Sequence, residues 1–247
     1  MANIPGTNGN DDLLGTSSAD VITAMGGDDT VAAGDGDDRI EAGNGNDNPV
    51  AGENGNDAIF GGAGNDTISG GEGNDRILGQ GGSDKIGGGP GNDSMNGGAG
   101  TDTINVNPNE DQDTITGFTL GTDTIAINGF SNIQNFNDLS AFIDTSQGNN
   151  SVIDLGEAQG GQAGVQILTV ADVQGLTAND FDFNRGEIQF FRILAPQGED
   201  DGEDDGGANQ PGTAGPTPAP ATPEPADDDG GMGIMGVART ADVLDVA

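Results

Sequence analysis

Carboxylates recur on a fixed beat along this chain. Aspartate stands at Asp11, Asp20, Asp29, Asp38 and Asp47, nine residues apart, and after one ten-residue step at Asp57, Asp66, Asp75, Asp84, Asp93 and Asp102. With a formal net charge of −36 behind them, such rows are the chemistry of hard cations. Oxygen donors of carboxylate and backbone carbonyl type suit Ca²⁺, with its six to eight flexible ligands, better than the smaller, strictly octahedral Mg²⁺. Stacked at strand spacing with nothing between them, each neighbouring pair would repel by about 0.9 kcal/mol even at water's dielectric.

The elements that hold these carboxylates follow from the residues around them. From 6 to 105 the chain divides into eleven units, among them GENGNDAIF, GGAGNDTIS and GGEGNDRIL. Glycine dominates the first four positions, aspartate holds the sixth, and the eighth carries Leu13, Ile22, Val31, Ile40, Ile59, Ile68, Ile77, Ile86, Met95 and Ile104. An apolar residue two places after each aspartate is not the pattern of random low-complexity coil. It predicts a turn of six residues and a strand of three, with the eighth residue inward and its neighbours outward. Glycine serves turns that need positive φ and close backbone approach.

Two units make one coil, so the aspartates divide between two edges. Asp11, Asp29, Asp47, Asp66, Asp84 and Asp102 fall on one, and Asp20, Asp38, Asp57, Asp75 and Asp93 on the other. Eleven units make five and a half coils, a stack on the order of 26 Å at parallel-strand spacing. Asn48 and Pro49 add one residue to the fifth unit, which leaves Val50 as its inward residue and marks the expected weak point of the stack.

Composition narrows the function. The chain has 47 glycines, 32 % hydrophobic residues and no Trp, Tyr, Cys or His, which by averages alone would read as disorder. A repeat can fold despite such averages, because it buries a narrow apolar seam that bulk composition hides. Without His or Cys, most zinc, haem and thiol chemistry is excluded, as are Ser-His and Cys-His nucleophile arrangements, so an enzyme is not expected. With 42 acidic against 6 basic residues, nucleic acid and anionic membranes are repelled. No segment has the ~18 apolar residues of a membrane span. MANIPGTNGNDD has neither a basic nor an apolar run, so no Sec-type leader is expected.

Residues 106–194 leave the nonapeptide rule but keep alternation. Strands are predicted near 113–118, 123–128, 151–155, 164–170 and 187–193, with a short helix at 137–143. Eight of the nine phenylalanines lie after 117, consistent with a β-rich cap on the open end of the stack. Residues 195–231 are acidic and then proline-rich, the composition of a disordered linker, and 232–247 form a small apolar tail.

These units resemble the RTX nonapeptide GGxGxDxUx of hemolysin-type calcium-binding proteins. GGAGNDTIS, GGEGNDRIL and GGPGNDSMN match it at every specified position. The resemblance implies an all-β fold, a right-handed parallel β-roll with several Ca²⁺ ions, up to about nine, between turns of adjacent coils. It implies that one turn supplies the carbonyls of its second and fourth residues and its Asp, and the next turn those of its first and third and its Asp. One site would then use Gly62, Gly64 and Asp66 with Gly79, Gly81 and Asp84. Its neighbour across the roll would use Gly71, Gly73 and Asp75 with Gly88, Pro90 and Asp93. The same rule adds Gly52, Gly55, Gly61, Gly70, Gly97 and Ala99. The units from Gly52 to Asp102 match best, and those carrying Asp29, Asp38 and Asp47 follow. Least close are the units of Asp11 and Asp20, because Ser17 and Ser18 replace turn glycine and Ala24 and Met25 open the next unit.

The resemblance also implies extracellular, type I secretion, with the secretion machinery as a partner and VARTADVLDVA similar to its C-terminal signals. At millimolar affinity, about 10 mM Ca²⁺ would stabilise the fold by roughly 1.4 kcal/mol per site, or ~13 kcal/mol for nine, so the chain would fold on meeting external calcium. A secreted structural or cell-surface-associated calcium-binding protein is the expected role, with a calcium-dependent carbohydrate-binding module for polysaccharide as the alternative. An ice-binding face is disfavoured. An Asn row runs through Asn46, Asn56, Asn65, Asn74 and Asn92, but no Thr row accompanies it.

Overall fold

The computed structural model describes residues 1–108, 110–158 and 166–183. Within them two parallel sheets are wound as one β-roll. The first runs through Asn3–Pro5, Val21–Thr23, Arg39–Asn44, Ala58–Ala63, Arg76–Gly81, Ser94–Ala99, Gln112–Ile115 and Ile167–Val170, and the last of these pairs antiparallel with Ser151–Asp154 and then Ile143–Asp144. The second runs through Asp12–Thr16, Thr30–Asp35, Val50–Asn54, Thr67–Glu72, Lys85–Gly87, Thr103–Val106, Thr124–Ile127 and Phe181–Asp182. Successive units alternate between the sheets, which sends their turns to opposite edges.

The apolar eighth position builds the core. Ile22, Val31, Ile40, Val50, Ile59, Ile68, Ile77 and Ile86 are fully buried, and each stacks on its counterpart one coil away, as Ile68 does between Val50 and Ile86. Burying one such side chain contributes about 1.5–3 kcal/mol, which lets so narrow a seam organise a glycine-rich chain.

The strands are longer than the repeat pattern predicts. Typical units pair over six residues, as in Thr67–Glu72, so three residues rather than six lie outside the ladder. The reason is that the chain bends at the second and fourth positions of the unit through positive φ, as at Gly71 (117°) and Gly73 (126°), while the amides keep pointing along the stack. Gly71 N–H donates to the Gly88 carbonyl at 2.8 Å and Gly73 N–H to that of Pro90 at 2.9 Å, so stacking continues through the corner. Met25, Glu53 and Gln80 take the same left-handed bend, at φ of 77–81°, without the freedom of glycine.

The extra residue at Asn48 and Pro49 is absorbed without a gap. Val50 points inward and fully buried, Asn48 N–H donates to the Asp29 carbonyl, and the Pro49 carbonyl accepts from Val31 N–H. The sheets also cross residue 105 unbroken, since Gln112–Ile115 and Thr124–Ile127 pair parallel with the repeat strands. A short helix, Phe136–Ser140, starts one residue before the predicted one and is capped by the Asn135 side chain. The strand predicted at 187–193, the linker and the tail lie outside the described residues. On the outer face Arg39 stacks over Phe60 with its guanidinium 4.5 Å from the ring centre, and Arg76 flanks the ring at 5.8 Å.

Candidate metal centre

The two predicted aspartate rows are ladders in the structure. The backbone N–H of each aspartate donates to Oδ1 of the aspartate one coil on: Asp11 to Asp29, Asp29 to Asp47, Asp47 to Asp66, Asp66 to Asp84 and Asp84 to Asp102, at 2.8–2.9 Å. On the opposite edge the chain of bonds runs Asp20, Asp38, Asp57, Asp75, Asp93. One carboxylate oxygen is thus committed to stacking. The other is left over. In Asp29, Asp38, Asp47, Asp57, Asp66, Asp75, Asp84, Asp93 and Asp102, Oδ2 is buried and accepts no hydrogen bond from the protein.

A buried carboxylate oxygen without a donor or countercharge is costly, and the cost appears in the proton equilibria. Burial, with the charges of row neighbours added to it, pushes Asp57, Asp66, Asp75 and Asp93 up to about 7 and Asp38 and Asp84 to about 6. Asp29, Asp47 and Asp102 are raised for the same first reason. A cation beside each row would remove the penalty.

The backbone around Oδ2 is shaped for such an ion. A Cβ added at Gly61 would lie 2.6 Å from Asp66 Oδ2 and 2.9 Å from the Gly79 carbonyl oxygen; at Gly70 the distances are 2.1 Å to Asp75 Oδ2 and 2.6 Å to the Gly88 carbonyl oxygen. Gly52 and Gly79 give the same arrangement with Asp57 and Asp84, and at Gly88 and Gly97 the Asp93 and Asp102 side chains lie where a Cβ would stand, with Oδ2 at 2.0 and 2.2 Å from that point. The carbonyl oxygens of Gly55, Gly64, Gly71 and Gly73 face the α-carbon at the same position one coil on. Those of Gly81, Gly88, Pro90 and Ala99 each accept one N–H from the preceding coil, leaving a second lone pair. Gly62 bends the chain at φ of 116°, which brings its α-carbon against the Gly43 carbonyl. Among the described residues no three carboxylates converge on one point. A cation between coils would therefore draw its remaining ligands from carbonyls, an all-oxygen donor set that fits calcium.

Asp11 and Asp20 stand apart from the other nine. Thr7 N–H and Oγ1 donate to Asp11 Oδ2, and Thr16 N–H and Oγ1 donate to Asp20 Oδ2. In these two turns threonine takes the second position, and the oxygen that is bare elsewhere is satisfied by the protein. The Ala2 backbone N–H, foremost, and the Thr16 hydroxyl hold the Asp20 carboxyl below its ordinary value.

Two members of the rows escape a reading by spacing. Asp93 N–H donates to Asp113 Oδ1 and Asp102 N–H to Asp123 Oδ1, both at 3.0 Å, so the ladders extend into the region assigned to the cap. Intervals of 20 and 21 residues hide them from a nine-residue count, yet Asp-Thr-Ile recurs at 66–68, 102–104, 113–115 and 123–125. The Asn row visible in the sequence forms a further set of ladders. On one edge Asn56, Asn74, Asn92 and Gln112 each donate their N–H to the side-chain oxygen of Asp37, Asn56, Asn74 and Asn92. The exposed Asn row therefore stacks turns on one another.

A family model described as RTX calcium-binding nonapeptide repeat (4 copies) matches residues 5–40, 23–48, 51–86, 69–104 and 79–115. No curated protein sequence matches. Among solved structures, an extracellular lipase, LipA from Serratia marcescens, aligns at 15 % identity and TM-score 0.34, over 72 % of this chain and 39 % of the lipase. The AlgE6R3 subunit from the Azotobacter vinelandii mannuronan C5-epimerase aligns at 18 % identity and TM-score 0.21, over 89 % of this chain and 93 % of that one. The chain thus spans well under half of the lipase it resembles.

Proposed function

We propose that this chain, a member of the RTX calcium-binding nonapeptide repeat family, is an extracellular protein whose β-roll closes around calcium ions seated along its two aspartate rows. The observation that carries the reading is the set of nine buried, unpartnered Oδ2 atoms, four of which (Asp57, Asp66, Asp75 and Asp84) lie close to the point where a carbonyl of the next coil also approaches. The chain's own part in binding is to present oxygen and exclude water. Oδ1 fixes the carboxylate through the amide one coil back, Oδ2 of Asp66 and Asp84 and the carbonyls of Gly62, Gly64, Gly79 and Gly81 would hold the ion, and the isoleucine seam holds coil spacing. When bound, calcium supplies the positive charge that the rows lack.

At cytosolic calcium the carboxylates oppose stacking, and at millimolar external calcium they favour it, so folding is coupled to arrival outside the cell. Export through a type I machinery and a structural or surface-associated role accompany this reading. Isothermal calorimetry of the full chain tests it, with several ions taken up in step with the gain of strand signal. No heat of calcium binding at millimolar concentration would sink it.

A second reading rests on the outer face. Arg39, Glu41, Asn44, Phe60 and Gln80 line a shallow groove of about 500 Å³, where a guanidinium, a carboxylate and side-chain amides suit the hydroxyls of a sugar. A glycan array with and without Ca²⁺ decides this reading, which is excluded if no glycan is retained in either condition.

A further inference from the structure

We infer that the calcium sites are graded along the roll by the residue that opens each turn, and that the six glycine-fronted turns from Gly52 to Asp102 fill before the three alanine-fronted turns of Asp29, Asp38 and Asp47. This deepens the calcium reading and rests on it. The nine bare Oδ2 atoms belong to aspartates with the same ladder bond and nearly the same exposure, so neither hydrogen bonding nor exposure gives a reason for a difference. The opening residue does. Gly52, Gly61, Gly70, Gly79, Gly88 and Gly97 precede Asp57, Asp66, Asp75, Asp84, Asp93 and Asp102 by five residues, whereas Ala24, Ala33 and Ala42 precede Asp29, Asp38 and Asp47.

At all six glycines a Cβ would fall 2.0–2.6 Å from the turn's own Oδ2, well inside the contact distance of carbon and oxygen. A methyl there and a carboxylate oxygen in that place exclude one another. At Ala24, Ala33 and Ala42 the methyl is present and fully buried, so the oxygen must sit elsewhere and the space beside it is smaller by that methyl. At Gly52, Gly61, Gly70 and Gly79 the same point is also within 2.5–2.9 Å of the carbonyl oxygen that opens the next coil's turn. The methyl therefore intrudes where the carboxylate of one coil and the carbonyl of the next approach each other, which is the ground a shared cation needs.

The first two turns complete the grading, because threonine donors occupy Oδ2 of Asp11 and Asp20. From the N-terminus the roll thus holds two turns closed by the protein, three narrowed by a methyl and six open. Calcium at rising concentration orders the 52–105 half first, and the 24–51 part follows.

Calorimetric calcium titration of the full chain, with circular dichroism alongside, tests this. Two classes are expected, six ions in the tighter, with midpoints separated by about tenfold. Ala42→Gly should move one ion into the tighter class, and Gly70→Ala should move one out. Because Gly70→Ala can also fail to fold, Ala42→Gly and Ala33→Gly are the decisive variants. Nine equivalent sites, or a tight class that stays at six in both Ala→Gly variants, would overturn the grading while leaving calcium binding intact. No uptake at all would overturn the calcium reading itself, and the grading with it.

Discussion

Ile68→Ala offers a way to count the ions that are coupled to folding. Ile68 is fully buried and stacks on Val50 in the coil before and Ile86 in the coil after, so truncation leaves a cavity with little room to collapse. Isoleucine-to-alanine changes at such sites cost about 2–5 kcal/mol, and we take ~3 kcal/mol here. If folding requires calcium, the loss must be made up by more calcium, shared among all ions bound on folding. For six ions the share is ~0.5 kcal/mol each, and the calcium midpoint of the strand signal should rise by about 2.3-fold. Were folding coupled to one ion only, the same ~3 kcal/mol would move the midpoint by about 160-fold. The assay is a calcium titration followed by circular dichroism, wild type against Ile68→Ala. An unchanged midpoint would refute the coupling of core to cation rows, and a shift near two orders of magnitude would refute multiple coupled sites.

Acidity should partly substitute for calcium. Asp57, Asp66, Asp75 and Asp93 are pushed from 3.8 to about 7 in the fold, so between those values the folded, metal-free chain holds more protons than the unfolded one and loses stability as pH rises. In EDTA, strand signal by circular dichroism should therefore be greater near pH ~4.5 than at pH ~8, and calcium affinity should weaken as pH falls below about 7. Gly71→Ala should destabilise the fold at fixed calcium by more than ~2 kcal/mol in denaturant titration, since Gly71 has φ of 117° and a Cβ would meet the Glu53 carbonyl oxygen at 1.9 Å. Gln80→Ala, at a position already carrying a Cβ at φ of 77°, should be nearly silent in the same assay. Asp113→Asn retains an oxygen for the Asp93 amide but removes a charge that burial disfavours, so calorimetry should find one ion fewer while metal-free stability at neutral pH rises.

What is legible in the sequence and what is hidden there have physical causes. The apolar eighth position and the two-edge division of aspartates follow from side-chain alternation, and Ile22 to Ile104 and both ladders stand where that alternation puts them. Strand length is not legible, because Gly71 and Gly73 look like loop residues although positive φ there turns the chain without releasing its stacking bonds. Asp113 and Asp123 are hidden because loop insertions break the count but not the coil. The threonine closure of Asp11 and Asp20 depends on which oxygen of a carboxylate remains free, and spacing does not report that. Antiparallel pairing of Ile143–Asp144 with Ser151–Asp154 is a long-range outcome with no local motif to announce it.

The proposed role of calcium is to make this chain fold by meeting the nine bare carboxylate oxygens. The most direct test is circular dichroism of the metal-free chain titrated with calcium and, in parallel, with magnesium. Strand signal should appear cooperatively with Ca²⁺ at millimolar concentration, while Mg²⁺ at the same concentration leaves the chain largely unfolded. A strand signal already complete in EDTA at neutral pH, or magnesium serving as well as calcium, would contradict it.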